Sequence, residues 1–165
     1  MQEQDLEYSF MKSIVICKTS GEYLLDLILD SEINPVLLSS FIGALSLFGK
    51  DNIGKIEEIN IKGLDLEMII VSKYDLILVA IMEREYVNEN MRKEAEKSLE
   101  YFYLLFKEDI ENSYYDINVF ESFKKILFQQ IKEYSENFNG TKKLGEIRDL
   151  EFFNESIKKM ESQSK

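Results

Sequence analysis

The chain has 165 residues, 45% of them hydrophobic, which is enough to bury one core without a disulfide or a structural metal. Its 31 acidic residues outnumber its 20 basic ones, and the formal charge of -11 disfavours nucleic-acid phosphates and anionic membranes as partners. The single cysteine, the acidic start of the sequence and the lack of a membrane-length apolar run predict a soluble cytoplasmic protein with no integral membrane segment.

Two strands are predicted first. Residues 12–18 contain a short apolar run, Ile14 to Cys17, that places apolar side chains on both faces, which indicates a central strand. A turn at residues 19–21 leads into residues 23–29, where leucines line one face and Asp26 interrupts the other. A strand with one mixed face is typical of a sheet edge.

A helix is predicted next. Asn34 can cap its first turn, Pro35 suits its first position, and the pattern runs to about Phe48. The apolar residues expected to face the sheet are Leu37, Phe41, Ala44, Leu45 and Phe48. Leu38 and Ile42 widen this face, and the small residues expected behind it are Ser39, Gly43 and Ser46. So wide an apolar surface on one helix indicates contacts beyond a single sheet.

Three more strands are predicted at residues 56–62, 66–71 and 76–82. Their short connections favour an antiparallel meander. The first alternates charged and apolar residues, as edge strands do, whereas the last is apolar on both faces and therefore central. If the opening hairpin and the meander join through their two central strands, the antiparallel order is 2-1-5-4-3.

Two further helices are predicted, the first capped by Asn88 and the second by a capping box of Asn118 and Glu121. Because the sheet is apolar on both faces, one helix should cover one face and two the other, giving an α/β (α+β) domain. The expected organisation is an N-terminal extension at residues 1–11, a domain at 12–138 and a polar tail at 139–165. The tail keeps enough helical spacing for a short amphipathic helix that docks only in context.

Residues suited to catalysis are scarce. The chain has no histidine, the residue most used for proton transfer near neutral pH and for zinc ligation. Cys17 lies within an apolar strand with no cation at a helix start to activate it, so we interpret it as a core residue. Glu83 and Glu85 form a carboxylate pair of the kind expected by chance in so acidic a chain. We predict a protein that is not an enzyme, with no catalytic residues, cofactor or metal.

One segment has the glycine and lysine spacing of a phosphate-binding P-loop, from Gly49 through Gly54 to Lys55. The next residue is Ile56, where that motif needs a hydroxyl for magnesium. The predicted order is also helix then strand, so no helix start would aim backbone N–H groups at a phosphate. The sequence favours a plain connecting loop.

The predicted element order resembles the longin fold over residues 12 to 138. Ile14 to Leu24 is similar to the first hairpin shared by longin and roadblock domains, and Ser40 to Leu45 followed by Phe48 is similar to their first helix. Roadblock domains usually carry a helix before the first strand and one after the last, unlike this chain. The heptad segment and anchor of longin-type fusion proteins are not found either, so the resemblance is to a non-SNARE longin-like domain.

This resemblance implies a non-catalytic platform that pairs with itself or a related domain and binds or regulates small GTPases or trafficking-type complexes. The abundance of Ile, Lys, Glu and Asn suits an AT-rich genome, including archaeal ones, where such domains occur. The alternative is a small-molecule sensor of the PAS or profilin-like kind, which has a similar plan but requires an internal cavity.

The predicted partner-binding residues lie on the first helix and the edge strand that follows it. They are Leu38, Ile42, Ile56, Glu58, Ile59 and Ile61. On the helix, the first two either stay exposed as part of a patch or pack under the tail helix. On the strand, the free edge either accepts a strand of another chain or is blocked from pairing by its charges.

Overall fold

An antiparallel sheet with helices on both faces organises the chain. The computed structural model describes residues 9–30, 32–112 and 115–163, and the side chains of 141–157, 160, 161 and 163 lie outside this description. Its strands and helices, in order, are β1 Met11–Lys18, β2 Tyr23–Ile28, α1 Pro35–Asn52, β3 Glu58–Lys62, β4 Leu66–Lys73, β5 Leu76–Glu83, α2 Met91–Glu111 and α3 Lys124–Gln163. Short 3-10 helices at Arg84–Tyr86 and Ile117–Phe123 precede α2 and α3.

The strand order is β2-β1-β5-β4-β3, and each neighbouring pair is antiparallel. The central register places Val79 opposite both Val15 and Ile70, and Ile70 lies opposite Ile59 of the edge strand. The predicted order is therefore confirmed. The two strands predicted to be central, β1 and β5, pair with each other as expected.

Each face of the sheet carries its own core. On one face, Ile14, Ile16 and Leu78 belong to the cluster that α2 and α3 cover, together with Phe102 and Phe120. On the other face, a smaller cluster of Val15, Cys17, Ile70, Ile77 and Val79 surrounds Ile42 of α1. This arrangement confirms the predicted α/β (α+β) fold with one helix on one face and two on the other.

Several predicted helix ends are wrong. The side chain of Asn88 accepts a hydrogen bond from the N–H of Asn90 at 2.9 Å, within a turn that precedes α2. Asp116 rather than Asn118 supplies the later cap, accepting from the N–H of Asn118 at 3.0 Å. That cap starts a 3-10 helix, so α3 begins only at Lys124. In both cases a side-chain oxygen accepts from the backbone N–H two residues on, a local hydrogen bond that Asn and Asp readily form.

The helix α3 continues past the start of the predicted tail and runs to Gln163. Gly140 has no atom within 4 Å of the place where a Cβ would stand, and an isolated glycine on an exposed helix costs only about 1 kcal/mol. Side chains that gave the tail its predicted helical spacing fall mostly outside the described residues. The domain limits at residues 1–11, 12–138 and 139–165 stay a prediction.

The β4–β5 hairpin has an unusual turn. Tyr74 and Asp75 have φ of 56° and 57°, and are the two non-glycine residues with positive φ within the described ranges. A two-residue hairpin with both central residues left-handed prefers Asn-Gly. The ring of Tyr74 stacks on that of Tyr103 at 4.6 Å, and Lys73 lies 5.2 Å from the Tyr74 ring centroid. Side-chain stacking thus offsets part of the backbone strain.

We expect Asp75→Gly to stabilise the protein by about 1 kcal/mol, because glycine adopts positive φ without a Cβ clash. Urea denaturation followed by circular dichroism measures the change. Asp65→Gly is the control, since Asp65 lies in the neighbouring β3–β4 turn without a positive φ. It should lose about 0.5 kcal/mol through chain entropy. An equal loss for both variants would contradict the expectation.

Candidate protein-interaction site

The helix α1 faces the sheet with the side opposite to the predicted one. The residues that it buries are Ser39, Ile42, Gly43 and Gly49. The predicted inward residues Leu37, Phe41 and Phe48 are instead 70%, 52% and 59% exposed. The assignment of its inward face was therefore wrong, and the small-residue stripe is the contact surface.

Close backbone approach explains this orientation. A Cβ added to Gly43 would stand 2.3 Å from the Cα of Gly21 in the β1–β2 turn, closer than real Cβ contacts come. Gly21 itself has a φ of +90°, which suits glycine alone among common residues. The two glycines let α1 rest directly on the turn. A larger residue at either position would hold the helix away from the sheet.

The glycines of the P-loop-like segment have structural roles as well. A Cβ added to Gly49 would stand 2.1 Å from Cδ1 of Ile56, so the Ile56 side chain occupies the space that a larger residue would need. Gly54 has a φ of +97° in the connection after α1. That connection leads into β3, so no helix start faces the loop. Its geometry is that of a helix-to-strand connection, and it places the end of α1 beside the start of β3.

The outward face of α1 is a continuous apolar surface. Leu37, Phe41, Ala44 and Phe48 are all exposed and recur with spacings of four, three and four residues, and we call these four the α1 stripe. This is the spacing of a seam between two packed helices. No charged residue occurs from Pro35 to Gly49. In a chain with a formal charge of -11, such an uncharged apolar surface fits a protein contact.

The edge strand β3 lies next to the end of α1 and is hydrogen-bonded to β4 on one side. Glu58 is held from α2 by Arg92, whose guanidinium lies 3.0 Å from its carboxylate. Arg92 also contacts the carboxylate of Glu96 at 3.0 Å. The carboxylates of Glu96 and Glu58 raise the pKa of Arg92, and Glu96 has the larger effect. At the opposite edge of the sheet, β2 is contacted by the 3-10 helix Ile117–Phe123. The β3 edge has no comparable cover among the described residues.

The predicted site residues lie in different environments. Ile42 is 1% exposed in the core between α1 and the sheet, so it is not part of an exposed patch; the close approach at Gly43 turns it inward. Leu38, Ile56 and Ile59 are half-buried, also on the α1 side, whereas Ile61 is 41% exposed. Glu58 is exposed on the other side of β3. The strand residues and the end of α1 are therefore brought together.

The interior of the domain offers little for chemistry. Burial raises the pKa of the Cys17 thiol to about 12, so it stays protonated near neutral pH. Burial also raises the pKa of the Tyr134 phenol, to about 12, and its hydroxyl donates to the backbone oxygen of Tyr86.

Among the described residues, no group of three or more His, Cys, Asp or Glu could hold a metal ion. No helix in the described part of the chain is long and apolar enough to cross a membrane.

The space between the sheet and the two helices α2 and α3 is small. It has a volume of about 30 Å³ and is lined by residues such as Ile14, Leu78 and Ala95. This is room for about one water molecule, against the roughly 300 Å³ or more of a typical ligand pocket. The described core therefore gives no support to the alternative of a small-molecule sensor.

Comparisons with known proteins show distant structural likeness. The sequence matches no protein-family model and no curated protein. A roadblock/LC7 domain from Streptomyces avermitilis superposes with a TM-score of 0.46 at 11% identity, over 58% of this chain and 87% of that one. MglB from Myxococcus xanthus gives 0.45 at 11% over 57% and 80%, and the gliding protein MglB from Thermus thermophilus gives 0.44 at 12% over 58% and 76%.

The observed strand order and the placement of the three helices are those of a longin/roadblock-like fold. The predicted resemblance is thus confirmed at the level of the fold.

Proposed function

We propose that this chain is a non-catalytic protein-interaction module whose binding surface combines the α1 stripe with the free edge of β3. The observation that carries the proposal is the outward apolar face of α1, where Leu37, Phe41 and Phe48 are each more than half exposed. Burial of such side chains contributes about 1.5 to 3 kcal/mol each, which suffices for a specific contact. Binding at this surface requires no catalytic step.

The β3 edge adds a second mode of recognition. Unpaired backbone groups on an edge strand can accept a strand from another chain, while the side chains beside them give selectivity. Ile56, Ile59 and Ile61 supply apolar contacts there, and Glu58 supplies a charge. Because Ile56 packs on Gly49 at the end of α1, a partner on the edge would also reach the helix.

The resemblance to longin and roadblock domains supports a particular class of partner. We infer that the module pairs with itself or a related domain and binds or regulates a small GTPase or a trafficking-type complex. A helical or strand-bearing partner surface fits the seam-like spacing of the α1 stripe.

We expect Phe41→Asp to weaken partner binding at least tenfold while the fold is retained. A carboxylate in the centre of an apolar contact loses its hydration without a counter-charge, which costs several kcal/mol in a complex. Pull-down of small GTPases from the source organism by wild type, followed by titration calorimetry with the captured GTPase, measures the change.

Leu104→Asp is the matched control, because Leu104 is a 68% exposed leucine on α2, across the sheet from α1. It should bind as wild type does. If Phe41→Asp, folded by circular dichroism, binds the captured partner with unchanged affinity, the α1 stripe is not the binding surface.

A further inference from the structure

We propose that the buried carboxylate of Glu67 is a binding site for an alkylammonium group, the cationic head of a lysine side chain on a partner segment. The site lies where the β3–β4 turn meets the 3-10 helix Arg84–Tyr86, whose first N–H donates to the oxygen of Asp65 at 3.0 Å. This end of the sheet is not part of the α1 stripe, so the inference goes beyond the proposed function and does not depend on it.

Glu67 lies within the sheet among apolar neighbours and is 5% exposed. It stands opposite Met82 of β5, which is fully buried. Along β4 it alternates with Met68, which packs on the side of α1. The side chain of Glu67 therefore points to the face that α2 and α3 cover. A glutamate is rarely buried to this extent unless its charge is paired.

The carboxylate of Glu67 has no such pair. Within residues 9–30, 32–112 and 115–163, no group forms an ion pair or a hydrogen bond with it. In the same ranges, the hydroxyl of Ser13 is the one side-chain polar atom sealed from solvent without a partner. The oxygens of Glu67 must therefore keep access to the surface, through the cleft that this residue lines. A carboxylate buried along its stem and open at its tip is placed to receive one cation.

The cleft beside Glu67 has the charge and the lining for a lysine side chain. Its volume is about 810 Å³, and its apolar wall consists of Leu64, Leu66 and Val87. A hydrocarbon stem can pack on such a wall while its charged head reaches a carboxylate. The formal charge of -11 on the whole chain attracts a basic segment. Four acids line the cleft against three basic residues: Asp65, Glu67, Glu83 and Glu85 against Lys12, Lys62 and Arg84.

Two of these three basic residues have other partners. The ammonium of Lys12 lies 3.3 Å from the carboxylate of Glu83 and 2.7 Å from the backbone oxygen of Ser9. The guanidinium of Arg84 donates to two backbone oxygens of the β3–β4 turn, both at 3.3 Å. Neither cation is therefore available to neutralise Glu67.

Lys62 is the third, and it stands directly opposite Glu67 in the β3–β4 ladder. Its side chain is exposed and forms no ion pair with Glu67. An exposed ammonium is well hydrated, and fixing a long side chain in one geometry costs entropy, so such a pair contributes little. A lysine on a bound segment differs, because contacts of that segment with the apolar wall hold it in place.

The narrow access to Glu67 favours ammonium over other cations. An ammonium is a compact point charge, whereas a guanidinium is a planar fork that needs two oxygens side by side. A calcium ion takes roughly six to eight oxygen ligands. The described residues offer no group of three side chains that could supply them. Because the cleft is far larger than one side chain, we assign the ammonium to a lysine within an extended segment.

A short peptide with blocked ends and one central lysine tests the site. We expect wild type to bind this peptide with a Kd of about 1 mM or below, measured by nuclear magnetic resonance titration. A counterpart with norleucine in place of the lysine keeps the stem without the charge and should bind at least about tenfold more weakly. Pentylamine has the stem and head of lysine without the segment, and should also bind more weakly than the peptide.

Two variants separate binding from stability. Glu67→Gln should weaken peptide binding about tenfold or more, yet leave the urea midpoint of the free protein unchanged or higher, because an unpaired buried carboxylate does not stabilise the fold. Lys62→Met should bind the peptide about threefold more tightly, since a nearby positive charge is removed. Glu89→Gln is the control: Glu89 is exposed outside the cleft, its loss changes the net charge equally, and it should bind as wild type does.

The inference is overturned if wild type does not bind the lysine peptide, if the norleucine peptide binds equally well, or if Glu67→Gln binds as tightly as wild type. Equal losses of stability in Glu67→Gln and Lys62→Met would also overturn it, since these two residues would then form an internal ion pair. Pentylamine binding as tight as that of the peptide would overturn the assignment to a protein segment. None of these results affects the proposed function, which is tested by Phe41→Asp on the α1 stripe.

Discussion

Ile42→Asp is expected to destabilise the folded state severely, whereas the same replacement at the neighbouring Phe41 leaves the fold intact. Ile42 is 1% exposed against Val15, Ile70 and Val79, so an aspartate there loses the apolar burial and places a carboxylate in a dry core. The combined cost exceeds about 4 kcal/mol, a large part of the 5 to 15 kcal/mol that stabilises a typical domain.

At Phe41 the side chain is 52% exposed, so its carboxylate remains in water and the change in unfolding free energy should stay within about 1 kcal/mol. Far-ultraviolet circular dichroism and urea denaturation of both variants give the comparison. Equal stability of the two variants would show that α1 presents a different face to the sheet.

Gly43→Ala is expected to destabilise the protein by about 2 to 3 kcal/mol despite the higher helix propensity of alanine. The new methyl group would overlap the Cα of Gly21, with the nitrogen of Gly21 at 2.5 Å and the carbonyl carbon of Ser20 at 2.8 Å. All three are backbone atoms, so no side chain can turn aside and α1 must shift from the sheet.

Gly140→Ala is the control within a helix, because nothing lies within 4 Å of its added Cβ. It should gain about 0.5 to 1 kcal/mol from helix propensity alone. Thermal unfolding of the two variants should therefore move in opposite directions. A Gly43→Ala variant as stable as wild type would mean that α1 does not rest on the β1–β2 turn.

Most of the sheet could be predicted from the sequence, because the alternation of apolar and polar residues along a strand indicates which of its faces are buried. The apolar runs within β1 and β5, which cover both faces of each strand, identify central strands, and the charges of β3 identify an edge. Once these assignments are made, the short connections leave one simple order. The fold followed from local patterns that agree with the tertiary arrangement.

The orientation of α1 could not be obtained by the same rule. Hydrophobic periodicity assumes that the apolar side of a helix is buried, but here Gly43 and Ser39 face the sheet and the apolar stripe faces outward. The missed signal was the pair of Gly21, in a strand turn, and Gly43, in a stripe of small residues. Together they indicate a backbone contact, which no count of apolar residues can show.

For that reason the sequence located only part of the surface that we propose binds a partner. Ile59, Ile61 and Glu58 lie on the predicted edge, since strand alternation placed them there. Phe41 was assigned to the inward face and is 52% exposed, whereas Ile42 was left between an exposed patch and packing under the tail and is buried against the sheet. The error is in the orientation of α1 about its own axis, and it left the exposed apolar residues of the α1 stripe out of the predicted site.

An uncharged apolar helix on an acidic chain also affects how the protein behaves in concentrated solution. Copies that carry a formal charge of -11 repel one another, and this repulsion keeps the exposed α1 stripes apart except where a specific contact offsets it. As the pH falls towards the sequence pI of about 4.6, the carboxylates take up protons and the repulsion weakens. Colloidal stability should therefore fall on acidification, with the α1 stripe as the surface through which copies associate.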